Sequence, residues 1–212
     1  MRIIGLCGAA GSGKSTIAKR LTSKWGFVEI ALADPLKRFC QEVYDFSTDQ
    51  LWGPSESRNA PDLRYLSDPQ IPGSYLTPRH ALQQLGTEWG RACYPDTWID
   101  YALRQIRRLD SSKRQSYAPW QGCYPVVKSK PYQGVVISDL RFENEIRKLH
   151  SVGGSIWHIT RPQPLQRSYM LHASERTSEL DPDFFDVRIH NDFATLEDLS
   201  EAVDYWNAWS DQ

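Results

Sequence analysis

Eight consecutive residues near the start of the chain, Gly8-Ala9-Ala10-Gly11-Ser12-Gly13-Lys14-Ser15, satisfy the pattern GxxxxGK[ST] at every fixed position. The chemistry this spacing allows is phosphate binding. Glycines lack Cβ atoms, so the backbone of Gly8, Ala10, Gly11, Ser12 and Gly13 can curl around an anion with its N–H groups turned inward. The helix that follows adds the positive end of its dipole. Lys14 would reach the β- and γ-phosphates, the Ser15 hydroxyl would ligate Mg²⁺, and Thr16 completes the cradle. A flexible glycine turn is the bland alternative, but the strand-like Arg2-Ile3-Ile4-Gly5-Leu6-Cys7 before the loop and the helical pattern after it meet the context a cradle requires.

Such a loop needs a second acidic residue at the end of another strand to hold the Mg²⁺ hydration shell. Val135-Val136-Ile137-Ser138-Asp139 supplies Asp139, with capping of the next helix as the competing duty. Leu140 rather than Glu follows, so the Asp-Glu pair common in hydrolytic ATPase motors is absent. Arg141 lies just past the strand end, where open parallel sheets bind ligands and a guanidinium can grip phosphate with two bonds. A salt bridge to Glu143 or Glu145 would explain it too. Guanine-specific switches are excluded: His190-Asn191-Asp192-Phe193 lacks the lysine of Asn-Lys-x-Asp, and no Asp-x-x-Gly follows Asp139. Kinase chemistry, with ATP and Mg²⁺ as cofactors, survives.

The elements that must position these residues alternate between apolar runs and helical patterns, which predicts an α/β fold: a five-stranded parallel sheet flanked by helices. Strands are expected at Ile3–Cys7, Phe27–Ala33, Gly134–Ser138, Ser155–Thr160 and Val187–His190. Helices are expected over Lys14–Trp25, after Asp34 as cap and Pro35 as first residue, after Thr77-Pro78, from about Asp96, over about Phe142–Leu149, and over Leu196–Trp209 behind a Thr195-to-Asp198 capping box. Gly53–Leu76 and Asp110–Gln133 read as loops, which at such length are functional lids, inserts or disorder.

The chain has 212 residues, 40% hydrophobic and 24% charged, with a formal charge of −1. That suits one domain acting on a small substrate, not sustained binding of nucleic acid through phosphate neutralisation. Cys7, Cys40, Cys93 and Cys123 show no metal-ligand spacing and read as reduced thiols. Neither a leader nor an apolar run of the ~20 residues that span a bilayer is visible, so no membrane is expected and the cytoplasm is, or the host's cytoplasm for a phage-encoded chain. A homodimer is compatible with all of this.

Taken together, Ala33-Asp34-Pro35-Leu36-Lys37, Arg79 with Leu82, Gly86 and Arg91, Pro95-Asp96-x-Trp98, Ser138-Asp139-x-Arg141-Phe142, His172-x-Ser174-Glu175 and Ile189-x-Asn191-Asp192 resemble the bacteriophage-type deoxynucleoside monophosphate kinases, a P-loop family. Order and spacing agree over most of the chain. The resemblance implies transfer of the γ-phosphoryl of ATP to a deoxynucleoside 5′-monophosphate. It implies a core of 1–34, 134–160 and 184–212, an acceptor-binding helical region of about 35–109, an insert of about 110–133 and a lid of about 161–180.

On that resemblance, Arg79 and Arg91 belong to the acceptor phosphate, although twelve residues of ideal helix hold them about 18 Å apart unless Gly86 lets the helix bend or end. Trp98 would stack on the acceptor base or pack in the core. Gln83 or Gln84 would hydrogen-bond the base or be solvated. Asp34 would hold the sugar or the Mg²⁺ shell, or only cap a helix, and Lys37 would see the acceptor phosphate or only water. Arg167 in the lid would approach the transferring phosphoryl on closure. Glu175 joins His172 and Ser174 in a lid cluster near the substrate. Asn191 falls where related kinases contact adenine, or in a plain turn. Lys113, Arg114, Lys128 and Lys130, interleaved with aromatic residues, leave a polynucleotide 5′-end kinase as an alternative. Another phosphorylated metabolite as acceptor, or a non-catalytic ATP-dependent switch, are the others.

Overall fold

The computed structural model describes residues 1–71, 73–111, 132–162 and 179–209. In chain order its elements are β1 (Arg2–Cys7), α1 (Lys14–Trp25), β2 (Phe27–Ile30), α2 (Asp34–Tyr44), α3 (Thr48–Trp52), α4 (Ser55–Asn59) and α5 (Pro78–Gln83), which runs on into a π-helix (Gln84–Arg91). Then come α6 (Thr97–Ser111), β3 (Gly134–Leu140), α7 (Glu143–His150), β4 (Ser155–Thr160), a 3₁₀ turn (Pro182–Phe184), β5 (Val187–His190) and α8 (Leu196–Trp209). They form two compact units, residues 1–32 with 99–212, and residues 33–98.

In the first unit every strand pairing is parallel, in the order β2-β3-β1-β4-β5. The five-stranded parallel sheet expected from the sequence is therefore present. Sheets of this kind are buried on both faces, which is why β1 reads as an almost unbroken apolar run. Ile4 and Leu6 point into a core with Ile17, Ala18 and Leu21 of α1, Val136, Trp157, Ile159, and Leu199 and Val203 of α8. Gly5 faces the other way. There α7 approaches closely enough that a Cβ on Gly5 would come within 2.6 Å of Leu149. Lys148 of α7 also reaches Asp100 of α6 at 2.9 Å.

The end of α7 and the start of α8 are fixed by residues the sequence shows. Thr195 Oγ1 accepts the N–H of Asp198 at 3.1 Å and Asp198 accepts that of Thr195 at 3.0 Å, the expected capping box. The chain leaves α7 through Gly153, at φ 77°, and Gly154, whose N–H returns to the Leu149 carbonyl at 3.0 Å. One boundary differs: β2 ends at Ile30 rather than Ala33, because the N–H of Leu32 is taken by the Asp139 carboxylate and leaves the ladder.

The second unit is helical and packs around Cys40, Phe46, Leu51 and Ala81. The segment expected as a loop at Gly53–Leu76 holds α4 and an antiparallel bridge between Leu66 and Tyr75. Asp62 organises it, accepting two bonds from the Arg64 guanidinium (2.9 and 2.8 Å) and one from Gln50 (3.0 Å). Arg64 holds the Asp62 carboxyl far below the usual carboxylate range.

Candidate active site

The loop between β1 and α1 takes the backbone path that the glycines permit. Gly8, Gly11 and Gly13 all have positive φ, 145°, 76° and 109°. At Gly13 a side chain is excluded twice over, by φ and by space, since a Cβ would lie 2.6 Å from Asn191 Nδ2. The turn closes with Ser12 N–H on Ala9 O (3.3 Å) and with the N–H groups of Thr16 and Ile17 on Gly13 O (3.0 and 3.1 Å). Ala10, Gly11 and Ser15 are exposed along this path, and Thr16 is half-buried.

Asn191 stands behind the loop. Its N–H bonds Thr160 O at 2.7 Å, extending β5 by one residue, and its buried Nδ2 donates to Ser12 O at 2.8 Å. This brace is a side-chain role beyond the turn or backbone contact expected from sequence. The Ser12 hydroxyl is buried and has no hydrogen-bond partner among the described residues. A buried orphan hydroxyl inside a ring of glycines is the feature a phosphate oxygen would satisfy.

Lys14 Nζ lies over the loop, 2.6 Å from both Gly8 O and Ala9 O. Burial pushes its pKa down to about 8; Arg141 pushes the same way, while Cys7 and Asp139 oppose. These influences place Lys14, Arg141 and Asp139 in one electrostatic neighbourhood. Burial also lifts the Cys7 thiol to about 11, so it is protonated at neutral pH and no nucleophile.

Asp139 lies inside β3, which continues through Leu140, paired with Cys7, rather than stopping at Ser138. Its Oδ1 accepts the Leu32 N–H at 2.7 Å. It does not cap α7. That duty belongs to buried Glu145, whose Oε2 accepts the N–H groups of Arg141 (2.8 Å) and Phe142 (3.1 Å). Sequence reading named Glu145 only as a salt-bridge partner for Arg141 and missed this cap, although a Glu three residues after the N-cap position is the available signal. Glu143, the other acid considered for Arg141, pairs with Arg147 at 2.6 Å.

In the second unit, Asp34 is the first residue of α2 behind Ala33 and makes no N-cap bond, which corrects the capping expectation. Its Oδ1 accepts the indole N–H of Trp52 at 3.3 Å, and Lys37 and Arg38 approach it at 3.9 Å each. The Lys37 side chain is only 18% exposed and its ammonium sits 5.6 Å over the Trp52 ring, so it is not a freely solvated lysine. Arg79 Nε donates to Asn59 Oδ1, Arg91 donates to Pro95 O at 3.2 Å, and Gln83 is half-buried in the last turn of α5. Trp98 packs its ring on Gly90 and donates Nε1–H to Gly86 O at 2.7 Å. Arg167 and Glu175, with His172, Ser174 and the basic residues of the insert, lie outside the described residues.

Among the described residues no group of three or more His, Cys, Asp or Glu could hold a metal. Magnesium does not demand such a cage, since it keeps several waters and takes one or two carboxylates plus phosphate oxygens. Ser15 and Asp139 fit that mode of binding. No helix among the described residues is long and apolar enough to cross a membrane.

A parallel α/β sheet with a glycine-lined phosphate loop between its central strand and the first helix, and an acid at the end of the neighbouring strand, defines the P-loop nucleotide-binding class. Within that class the sequence is 33% identical over 162 residues, 76% of this chain and 75% of the relative, to a protein of Acanthamoeba polyphaga mimivirus named "Putative deoxynucleotide monophosphate kinase". The chain belongs to that kinase family. It is a phosphoryl-transferring enzyme. No protein-family model matches the chain. Solved structures similar to it include a dephospho-CoA kinase from Campylobacter jejuni (15% identity, all of both chains, TM-score 0.48). Another is a sugar kinase from Janibacter sp. HTCC2649 (17% identity, 98% of this chain and 95% of that one, TM-score 0.47). Likenesses this slight carry no functional inference.

Proposed function

We propose that this enzyme transfers the γ-phosphoryl of ATP to the 5′-phosphate of a deoxynucleoside monophosphate, giving ADP and the deoxynucleoside diphosphate. The observation that carries the reading is the Gly8-to-Ser15 loop, with its orphan Ser12 hydroxyl and buried Lys14, in a chain of this kinase family. Ser15 and Asp139 would hold Mg²⁺, which when bound neutralises charge on the β- and γ-phosphates. The loop N–H groups and Lys14 bind the triphosphate, and Arg141 shares the charge that moves onto the bridging oxygen.

An acceptor phosphate monoester has a second pKa near ~6 and is mostly dianionic at pH 7, so its oxygen attacks without a strong general base. The new P–O bond forms as the bond to the ADP oxygen breaks. Positioning and charge stabilisation suffice, which suits a site that offers cations rather than a nucleophile. Arg79, Arg91 and Lys37 are assigned to the acceptor phosphate, Gln83 to the base and Asp34 to the sugar. Asn191 keeps the loop in shape. Arg167 and Glu175 keep their lid assignment, and a cytoplasmic location goes with this reading.

The test is product formation by the purified chain with Mg·ATP across the four deoxynucleoside and four ribonucleoside monophosphates. A diphosphate product from at least one deoxynucleotide is expected. Absence of any deoxynucleoside diphosphate overturns the reading.

A further inference from the structure

The helix carrying Arg79, Gln83 and Arg91 does not break at Gly86, as the sequence suggested it could; it widens. Hydrogen bonds that close on i+5 give roughly 4.4 residues per turn, or about 82° per residue, against about 100° in an α-helix. Twelve α-helical steps would leave Arg91 about 120° around the axis from Arg79. With four α-helical steps through α5 and eight π-helical ones from Gln84 to Arg91, the two fall within about 25° of each other.

Accessibility bears this phase out independently. Arg79, Gln83, Thr87 and Arg91 are all half-buried, whereas the row one residue on, His80, Gln84, Glu88 and Ala92, is exposed throughout. On the inner side Pro78, Gly86 and Gly90 are buried and Leu82 packs on the core of the unit. Burial thus keeps its phase in three of the four rows from Pro78 to Ala92, and only the fourth drifts, from buried Ala81 through Leu85 to exposed Trp89. A straight α-helix would drift by about 40° at each such step and could not sustain three parallel rows.

The wide turn is held from outside by the residues that follow it. Trp98 Nε1–H donates to Gly86 O at 2.7 Å, and Thr97 Oγ1–H donates to Gly90 O at 2.9 Å. The indole lies so close to Gly90 that a Cβ there would be 2.3 Å from the ring. An indole N–H on a carbonyl at one end, and a ring against a glycine one turn on, fix both the register and the width of the segment.

We infer that Trp98 is a positioning residue, whose clamp on the π-helix aligns Arg79, Gln83, Thr87 and Arg91 into one row facing the acceptor nucleotide. Thr87, between an amide and a guanidinium in that row, adds a hydroxyl contact to the same ligand. The inference rests on the proposed acceptor role of this unit and gives Trp98 a duty other than base stacking.

Trp98→Phe removes the indole N–H and the benzo carbons that lie against Gly90, which releases the clamp while an aromatic ring stays at the position. It is expected to raise the acceptor KM about tenfold, with the ATP KM and the melting temperature within error of the parent. A second variant, deletion of Thr87, takes the extra residue out of the wide segment; it should raise the acceptor KM further while binding of Mg·ATP, measured by calorimetry, persists. Arg79→Ala and Arg91→Ala serve as the reference. If these two raise the acceptor KM and Trp98→Phe does not, the clamp is refuted and the acceptor assignment stands. If all leave it unchanged, both fall. An equal rise in both substrates' KM, or a lowered melting temperature that accounts for the loss, would make Trp98 merely structural and equally refute the inference.

Discussion

Lys14 is the residue through which the nucleotide site weighs on the stability of the fold. Its ammonium is half-buried in the loop, and burial together with Arg141 lowers its pKa from 10.5 to about 8. At about 1.36 kcal/mol per unit, keeping it charged at pH 7 costs about 3 kcal/mol relative to the unfolded chain. The bonds to Gly8 O and Ala9 O offset part of that, at about 1 kcal/mol each. Lys14→Met, which keeps the stem and removes the charge, should therefore stabilise the protein by about 1 to 3 kcal/mol at pH 7 while abolishing phosphoryl transfer. The sign with pH follows from the lowered value. Between pH 8 and 10.5 the unfolded chain binds the proton that the folded chain has lost, so the wild type gains stability as pH rises and the advantage of the variant shrinks. Urea unfolding of both proteins at pH 7, 8.5 and 10 reads this directly. A variant less stable than the wild type at pH 7, or a gap that does not narrow with pH, would refute the reasoning.

Asn191→Ala leaves the Ser12 carbonyl without its brace; it should lower stability by about 1 to 3 kcal/mol and weaken ATP binding several-fold, and an unchanged calorimetric affinity would contradict the brace. Asp204 joins α8 to α1 by accepting bonds from Arg20 (2.6 Å), Lys24 (2.6 Å) and Trp25 (2.7 Å), and Arg20 above all holds its carboxyl well below the usual range. Its contribution is complete above the unfolded value of about 4 and fades as pH falls through the lower folded value. Asp204→Asn should thus cost about 1 to 3 kcal/mol at pH 7 and less near pH 2, where the contribution has begun to fade; an equal gap in urea unfolding at the two pH values would refute it.

The sheet and the donor loop were legible because each rests on a local pattern: apolar runs for buried parallel strands, fixed glycine spacing for the loop, and Thr195-to-Asp198 for the start of α8. What escaped was set by long-range contacts or by patterns between the usual periods. β2 stops early because of a carboxylate 107 residues on in the chain, which no strand propensity records. The segment from 53 to 76 is ordered by Asp62 and Arg64, two residues apart, and not by periodic burial. α3 had a readable start, since Ser47 and Gln50 form a reciprocal capping box, but five residues are too few to show a helical stripe. The helix after Thr77-Pro78 was legible but its widening was not, since rows that keep their burial at a spacing of four leave no mark on a 3.6-residue pattern.

The bond from Asn191 to Ser12 spans 179 residues of chain, and Arg2 likewise bonds the carbonyl of Asn207. A loop written within the first sixteen residues therefore becomes rigid only after synthesis has passed residue 191, because β5 and α8 must dock before its last support is in place. On the ribosome the glycine loop would wait, exposed and pliant, until β5 and α8 have been made. Nucleotide capture by a nascent chain of increasing length would then mark the completion of folding rather than its beginning.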